Sequence, residues 1–271
     1  MIQRKVKREA LERLRRKYDS RDYVHPDPVE MLYPYQDSAD REIVGLIASC
    51  LAYGRVGQIL KSAESLLDIM GSPRRFVEES TCSQMHHLLR GFKHRFTRAD
   101  QIVDLLCRVR AVLKEYGSLC ECFVSGMSSQ DDSLVPALTA FATKLGDSSA
   151  QGFSLVPSPL DGSACKRLNL YLRWIVRKDN VDMGDWANAV PQSRLIIPLD
   201  THMHWICRNL GLTDRKQADF RAAIEVTEGF RHFDAEDPVR YDFALSRLGI
   251  RERIKPQALW SVLAEQSEVS A

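Results

Sequence analysis

The chain has 271 residues, 44% of them hydrophobic, and a formal net charge of +2. Such a chain can bury a real core, either as one large domain or as two helical lobes sharing a cleft. No apolar run approaches the ~18 residues of a membrane span, and the basic N-terminus lacks the apolar core of a signal peptide; a cytoplasmic protein with no membrane partner is expected.

Ile2, Val6, Ala10, Leu14 and Tyr18 recur every fourth residue and predict an amphipathic helix over 2–18 with a basic outer face. Asp27-Pro28, Tyr33-Pro34 and Asp37-Ser38 mark a loop. Ile43, Val44, Leu46, Ile47 and Leu51 predict a helix from Asp40 to the break at Tyr53-Gly54-Arg55, and 56–70 a second, closed by Gly71 and Pro73. Thr97 or Asp100 is the expected cap of a helix ending at Tyr116-Gly117, and a shorter helix occupies 134–145. A Ser/Pro/Gly-rich linker, 148–159, leads into a helix over 166–178. An acidic loop with Asp179, Asp182 and Asp185 and an apolar run at 195–197 follow it. Helices over 201–210, 214–232 and 237–249 complete the pattern, with Asp234 and Asp237 as expected caps. Nothing alternates as a strand would and nothing repeats, so the class is all-α.

Cys50, Cys82, Cys107, Cys120, Cys122, Cys165 and Cys207 are an odd, scattered set inside apolar patterns, which predicts reduced core thiols rather than a disulfide framework. Cys120-x-Cys122 has the wrong spacing for a zinc knuckle. With no cysteine after Cys207, a C-terminal iron–sulfur loop is excluded and no cofactor is expected. Positive charge is concentrated in two places. Residues 1–17 hold eight Lys/Arg against Glu9 and Glu12, and 166–178 hold Lys166, Arg167, Arg173, Arg177 and Lys178 without an acid. The remainder is net acidic, a distribution suited to meeting a polyanion, although a solvated helix face accounts equally well for the first run. Trp174 and Trp205 fall in apolar helical patterns and are expected in the core; His86, His87 and His94 read as surface residues within reach of phosphate.

Leu168, Leu170, Tyr171, Leu172, Trp174, Ile175 and Val176 leave little polar face on the helix that Lys166 opens, so that helix is expected at the centre of the fold. A cation at a helix start meets partial positive charge, and partial burial penalises an ammonium. Both favour the neutral amine that a nucleophilic lysine needs. Asp200, 34 residues later, stands immediately before a helix, where aspartate is among the best N-caps.

Leu160-Asp161-Gly162-Ser163-Ala164-Cys165-Lys166 resembles the L-P-G-x-G-x-K hairpin of the helix-hairpin-helix DNA glycosylases, the superfamily of endonuclease III and 8-oxoguanine glycosylase. Asp161 replaces its proline and Ala164 its second glycine. Leu199-Asp200-Thr201-His202, running on to Arg208-Asn209-Leu210-Gly211-Leu212, is similar to the superfamily's hydrophobic-Asp-Thr-His helix. Residues 241–249 are similar to its closing helix and 42–52 to its first core helix. The resemblance is greatest to a bacterial branch and, in the long lysine–aspartate spacing, to the archaeal 8-oxoguanine glycosylases.

The resemblance implies a two-lobed all-α fold with a central cleft, one lobe from 37–194 and the other from 1–36 with 195–271. It implies a monomer that binds double-stranded DNA containing a damaged base. Lys166 would attack the sugar C1′ of an extruded nucleotide, with Asp200 assisting deprotonation and stabilising positive charge. Gly162, Ser163, Ala164, Cys165 and Arg167 would meet DNA phosphate through amides at a helix N-terminus. Gln58, with Arg55 beside it, is the nearest candidate for the family's DNA-probing glutamine; Tyr53, Pro198 and Asp242 are candidates for the base pocket. The implied activity is excision of a damaged base, an oxidised purine such as 8-oxoguanine, followed by strand nicking.

Two other readings stand beside it. Asp200-x-His202-x-His204 also fits the start of a metal-dependent amidohydrolase barrel, where two histidines on one strand share a face and a metal. On a helix they would diverge by about 200°, and the 67 residues after His204 are too few for a barrel of ~250. The altered hairpin is also compatible with a nucleic-acid-binding module that kept the fold and lost the chemistry.

Overall fold

The computed structural model describes residues 6–146, 154–250 and 259–265. Within them the regular structure is helical apart from one short hairpin. In chain order the helices are α1 (Arg8–Tyr18), α2 (Ser38–Cys50), α3 (Val56–Met70), α4 (Pro73–Glu79), α5 (Cys82–Leu88), α6 (Ala99–Tyr116), α7 (Leu119–Ser125), α8 (Val135–Leu145), α9 (Lys166–Val176), α10 (Thr201–Asn209), α11 (Phe220–Arg231), α12 (Asp242–Ile250) and α13 (Leu259–Glu265). Strands β1 (Lys93–His94) and β2 (Thr97–Arg98) pair antiparallel between α5 and α6. None of these helices is long and apolar enough to cross a membrane.

The centre is the contact of α2 with α9. Both are buried over most of their length, and they approach closely because residue 45 is glycine: a Cβ there would meet the Tyr171 ring at 3.2 Å. Tyr171, Trp186, Phe123 and Phe141 pack around this contact as an aromatic cluster. Glu42 is buried in the same region, accepting from the amides of Leu119 and Cys120 and from Trp186 Nε1. It thereby caps α7 from 77 residues away in the chain. α1 buries Leu11, Leu14 and Tyr18 against α12 and α13, and Tyr241 donates to Glu12. The two ends of the described chain therefore meet.

Several expectations need correction. Cys82 and Cys107 form a disulfide, because α5 lies along α6 and brings their Cα atoms to 6.1 Å; the other five cysteines are free thiols. His94 is fully buried rather than at the surface, its ring held between Ser62 Oγ and the Tyr53 carbonyl. α4, α5 and α7 were not legible as periodic patterns. The hairpin, two residues per strand, is too short to show alternation.

The largest correction concerns charge. The cations of 166–178 do not form a surface patch: Arg173 and Arg177 are buried, 2% and 4% exposed. Arg173 donates to Asp242 at 2.5 Å and to Asp182 at 3.3 Å, while Arg177 is paired with Asp179, Asp182 and Asp237. The acidic loop after α9 thus folds back to neutralise its arginines, as a buried charge requires. Asp237, expected as a cap, belongs to this cluster.

Candidate active site

Lys166 begins α9 and Asp200 is the N-cap of α10. Their side chains meet: Lys166 Nζ lies 3.4 Å from Asp200 Oδ2. The two oxygens of Asp200 divide their tasks, since Oδ1 accepts the Met203 amide at 2.8 Å and closes the first turn of α10. Oδ2 is left to face the amine. Lys166 Nζ also donates to the Ala52 carbonyl at 3.4 Å, just beyond the end of α2. Three chain segments remote in sequence thus converge on one amine. Both side chains are part-exposed, 31% for Lys166 and 42% for Asp200, so the pair is open to a ligand.

Two adjoining cavities, of about 590 Å³ and 400 Å³, share Ala52, Gly54, Ile59, Lys166, Asp200 and His202 as lining. The larger, more open one is completed by Tyr53, Ser163, Ala164 and Arg167 among others. The smaller runs between Pro28, Val56, Leu170, Pro198 and Met203 and reaches Trp174 and Asp242. Lys166 and Asp200 stand where the two meet, which places an amine and a carboxylate at the junction of a more open and a more enclosed cavity.

The hairpin before α9 is held from both sides. Gly162 takes the left-handed conformation at φ 71°, its carbonyl accepts from Phe220 at the start of α11, and Ser163 bridges to Asp219. Gly162 and Ser163 are exposed; Ala164 and Cys165 are not. The expectation that Cys165 meets DNA fails: its thiol points to the Pro157 carbonyl, its amide donates to Ser163 Oγ, and burial pushes the thiol up to about 12. Arg167 is likewise turned inward, donating to the carbonyls of Cys50 and Ser154 and so tying the segment before the hairpin to α2. The Asp161 carboxylate accepts from the Ser158 amide and closes the preceding turn.

Tyr53 sits with its hydroxyl on the His94 carbonyl and Thr97, pinning the β-hairpin to the loop after α2. Arg55 and Gln58 are exposed at the start of α3, where Gln58 donates to Ser62. Pro198 and Asp242 do line the smaller cavity. Asp242, however, is committed to Arg173, and burial raises its carboxyl above the ordinary range despite that partner. His202 and His204 lie on a helix and diverge: His204 Nε2 contacts the Arg215 carbonyl, whereas His202 packs against Gly249. The run does not form the strand that the amidohydrolase reading needs.

Sequence reasoning missed three parts of this site. The Ala52 carbonyl carries no side-chain signal. Trp174 was assigned to the core, where it is buried, but its indole nitrogen has no hydrogen-bond partner among the described residues. Gly249 leaves room for the His202 ring; the readable signal was a glycine inside a helical pattern.

The described residues thus form a predominantly helical protein with a lysine–aspartate pair facing a two-part cavity. A family model described as "Protein of unknown function (DUF2400)" matches residues 27–251, and the chain belongs to that family. No curated protein and no solved structure matches the chain.

Proposed function

We propose that the protein is a DNA base-excision glycosylase with AP lyase activity, built as the two-lobed helix-hairpin-helix fold with 37–194 as one lobe and 1–36 with 195–271 as the other. The observation that carries this reading is the 3.4 Å approach of Lys166 Nζ to Asp200 Oδ2 at the junction of the two cavities. The order and identity of the motifs around the pair support it.

In this mechanism Asp200 takes a proton from Lys166, and the neutral amine attacks C1′ of a nucleotide extruded from the duplex. The N-glycosidic bond breaks and the base leaves, carrying a proton. Opening of the sugar ring leaves an iminium between Nζ and C1′, whose positive charge Asp200 faces. Loss of a 2′ proton then expels the 3′ phosphate, and water releases the lysine. The open cavity would take the sugar and backbone and the closed one the base. Exposed cations flank the open side: Arg55 on α3, and Arg95 at the hairpin tip, whose side chain lies against Gly54. Their contribution would be salt-dependent.

The test is incubation of the protein with duplexes carrying oxidised purines, oxidised pyrimidines, uracil or an abasic site, with strand cleavage as readout. Cleavage of the abasic duplex and of at least one lesion duplex is expected. Tight, salt-sensitive binding with no cleavage of any duplex would replace this reading with the non-catalytic binding module.

A further inference from the structure

The cysteines divide by what surrounds them. The five free thiols are all pushed up by burial, those of Cys120 and Cys165 to about 12, so none is a ready nucleophile. The bridged pair is different. Cys82 and Cys107 are half-buried, and Arg110, one turn along α6 from Cys107, donates from Nη2 to Cys82 Sγ at 3.1 Å. The same guanidinium donates to the Ser80 carbonyl, which fixes it beside the sulfur. Among the described residues no carboxylate pairs with it, so its charge is left for a sulfur anion.

The bridge closes the open end of a helical pair. Cys82, on the first turn of α5, is joined to Cys107 midway along α6, while His86 Nδ1 lies 3.5 Å from Asp100 Oδ1 at the other end, where the β1–β2 hairpin connects the two helices. α5 has seven residues, too few to stay helical alone. It therefore depends on what fastens it to α6. The hairpin in turn holds the wall of the site: Tyr53 accepts from the Thr97 amide and donates to the His94 carbonyl, and the Arg95 side chain lies against Gly54, which lines both cavities.

We propose that Cys82–Cys107 is a thiol–disulfide exchange site for small thiols and dithiols, with Cys107 as the attacked sulfur and Cys82 as the leaving group, and that its opening loosens α5 and the β-hairpin. The polarity follows from Arg110: exchange is faster when the departing thiolate is stabilised, and the guanidinium stands on Cys82. A thiolate of a dithiol attacks Cys107 Sγ, and the electron pair of the protein's S–S bond leaves on Cys82 Sγ. The dithiol's second thiolate then attacks its own sulfur in the mixed disulfide and expels Cys107. Both protein thiolates take up protons from water, replacing those the dithiol released. Two electrons have passed to the protein, and the dithiol departs as a cyclic disulfide. The site works independently of whatever reaction Lys166 and Asp200 perform.

For the test, the full chain purified without reductant is treated briefly with glutathione and quenched with iodoacetamide, and the adducts are mapped by mass spectrometry. Glutathione on Cys107 with alkylation on Cys82 is expected; the reverse placement, or alkylation of both cysteines without glutathione, overturns the proposal. In Arg110→Gln, which keeps a donor and removes the charge, reduction by dithiothreitol should slow at least ~3-fold, and an unchanged rate overturns the assigned polarity. If that variant misfolds, the wild-type adduct map decides the polarity alone. Hydrogen exchange of wild type reads the coupling: amides of 82–98 should exchange several-fold faster after reduction, with those of 166–176 unchanged. Equal exchange across 82–98 in the two states overturns the control of the hairpin. None of these readouts requires DNA cleavage, so their failure leaves the glycosylase reading untouched.

Discussion

Removal of the Arg173 guanidinium tests the buried charge cluster that lies beneath the site. Arg173 is 2% exposed and joins two carboxylates, Asp242 at 2.5 Å and Asp182 at 3.3 Å. In Arg173→Met the side-chain volume is nearly kept. Asp182 retains Arg177, but Asp242, 3% exposed, is left without its cation. Breaking one partner out of a buried pair costs about 3–5 kcal/mol. For a chain of this size each kcal/mol lowers Tm by about 2–4 °C, so thermal unfolding followed by circular dichroism should shift down by about 6–20 °C. Adding Asp242→Asn removes the stranded charge, and the double variant should be less destabilised than the sum of the two single changes. A loss below about 1 kcal/mol in Arg173→Met, or strict additivity in the double variant, would refute the view that α9 is neutralised from within.

Other consequences separate structure from chemistry. Asp200→Asn should leave Tm nearly unchanged, because asparagine caps a helix as well as aspartate, yet abolish lesion cleavage; Asp200→Ala should lose cleavage and also about 1 kcal/mol of stability. Gly249→Ala would place a Cβ 1.8 Å from His202 Nε2, forcing the ring to move at a cost of about 1–3 kcal/mol, and an unaltered Tm would contradict the packing. Burial holds the His94 imidazole below its ordinary 6.5. As pH falls below 6.5 the unfolded chain takes up the proton before the native state does, so the native state loses stability there. Urea unfolding on either side of that pH should show this loss in wild type and a flatter profile in His94→Gln.

The helices that frame the site were legible because their apolar stripes are long and strongly capped. α2, α3, α6, α9 and α10 all lie within a few residues of the periodic patterns that predicted them. α5 and α7 were missed on periodicity although their caps were written in the chain: Thr81 with Gln84 and Ser118 with Glu121 have the spacing of a capping box, but only seven residues follow. The direction in which charges point was not legible. Arg173 and Arg177 read as a basic face because periodicity reports what a helix hides, not which distant loop returns to neutralise it. Asp179, Asp182 and Asp237 do so here. The adjacency of Lys166 and Asp200 was implied by resemblance alone; no local pattern connects a helix start to a cap 34 residues away.

Borohydride trapping on an abasic or lesion-bearing duplex tests the central claim most directly, because it reduces an iminium between a lysine and C1′ to a stable covalent link. The account predicts a trapped protein–DNA adduct with wild type, its attachment mapped to Lys166, and none with Lys166→Gln. An adduct that persists undiminished in Lys166→Gln, or maps to another lysine, would contradict it.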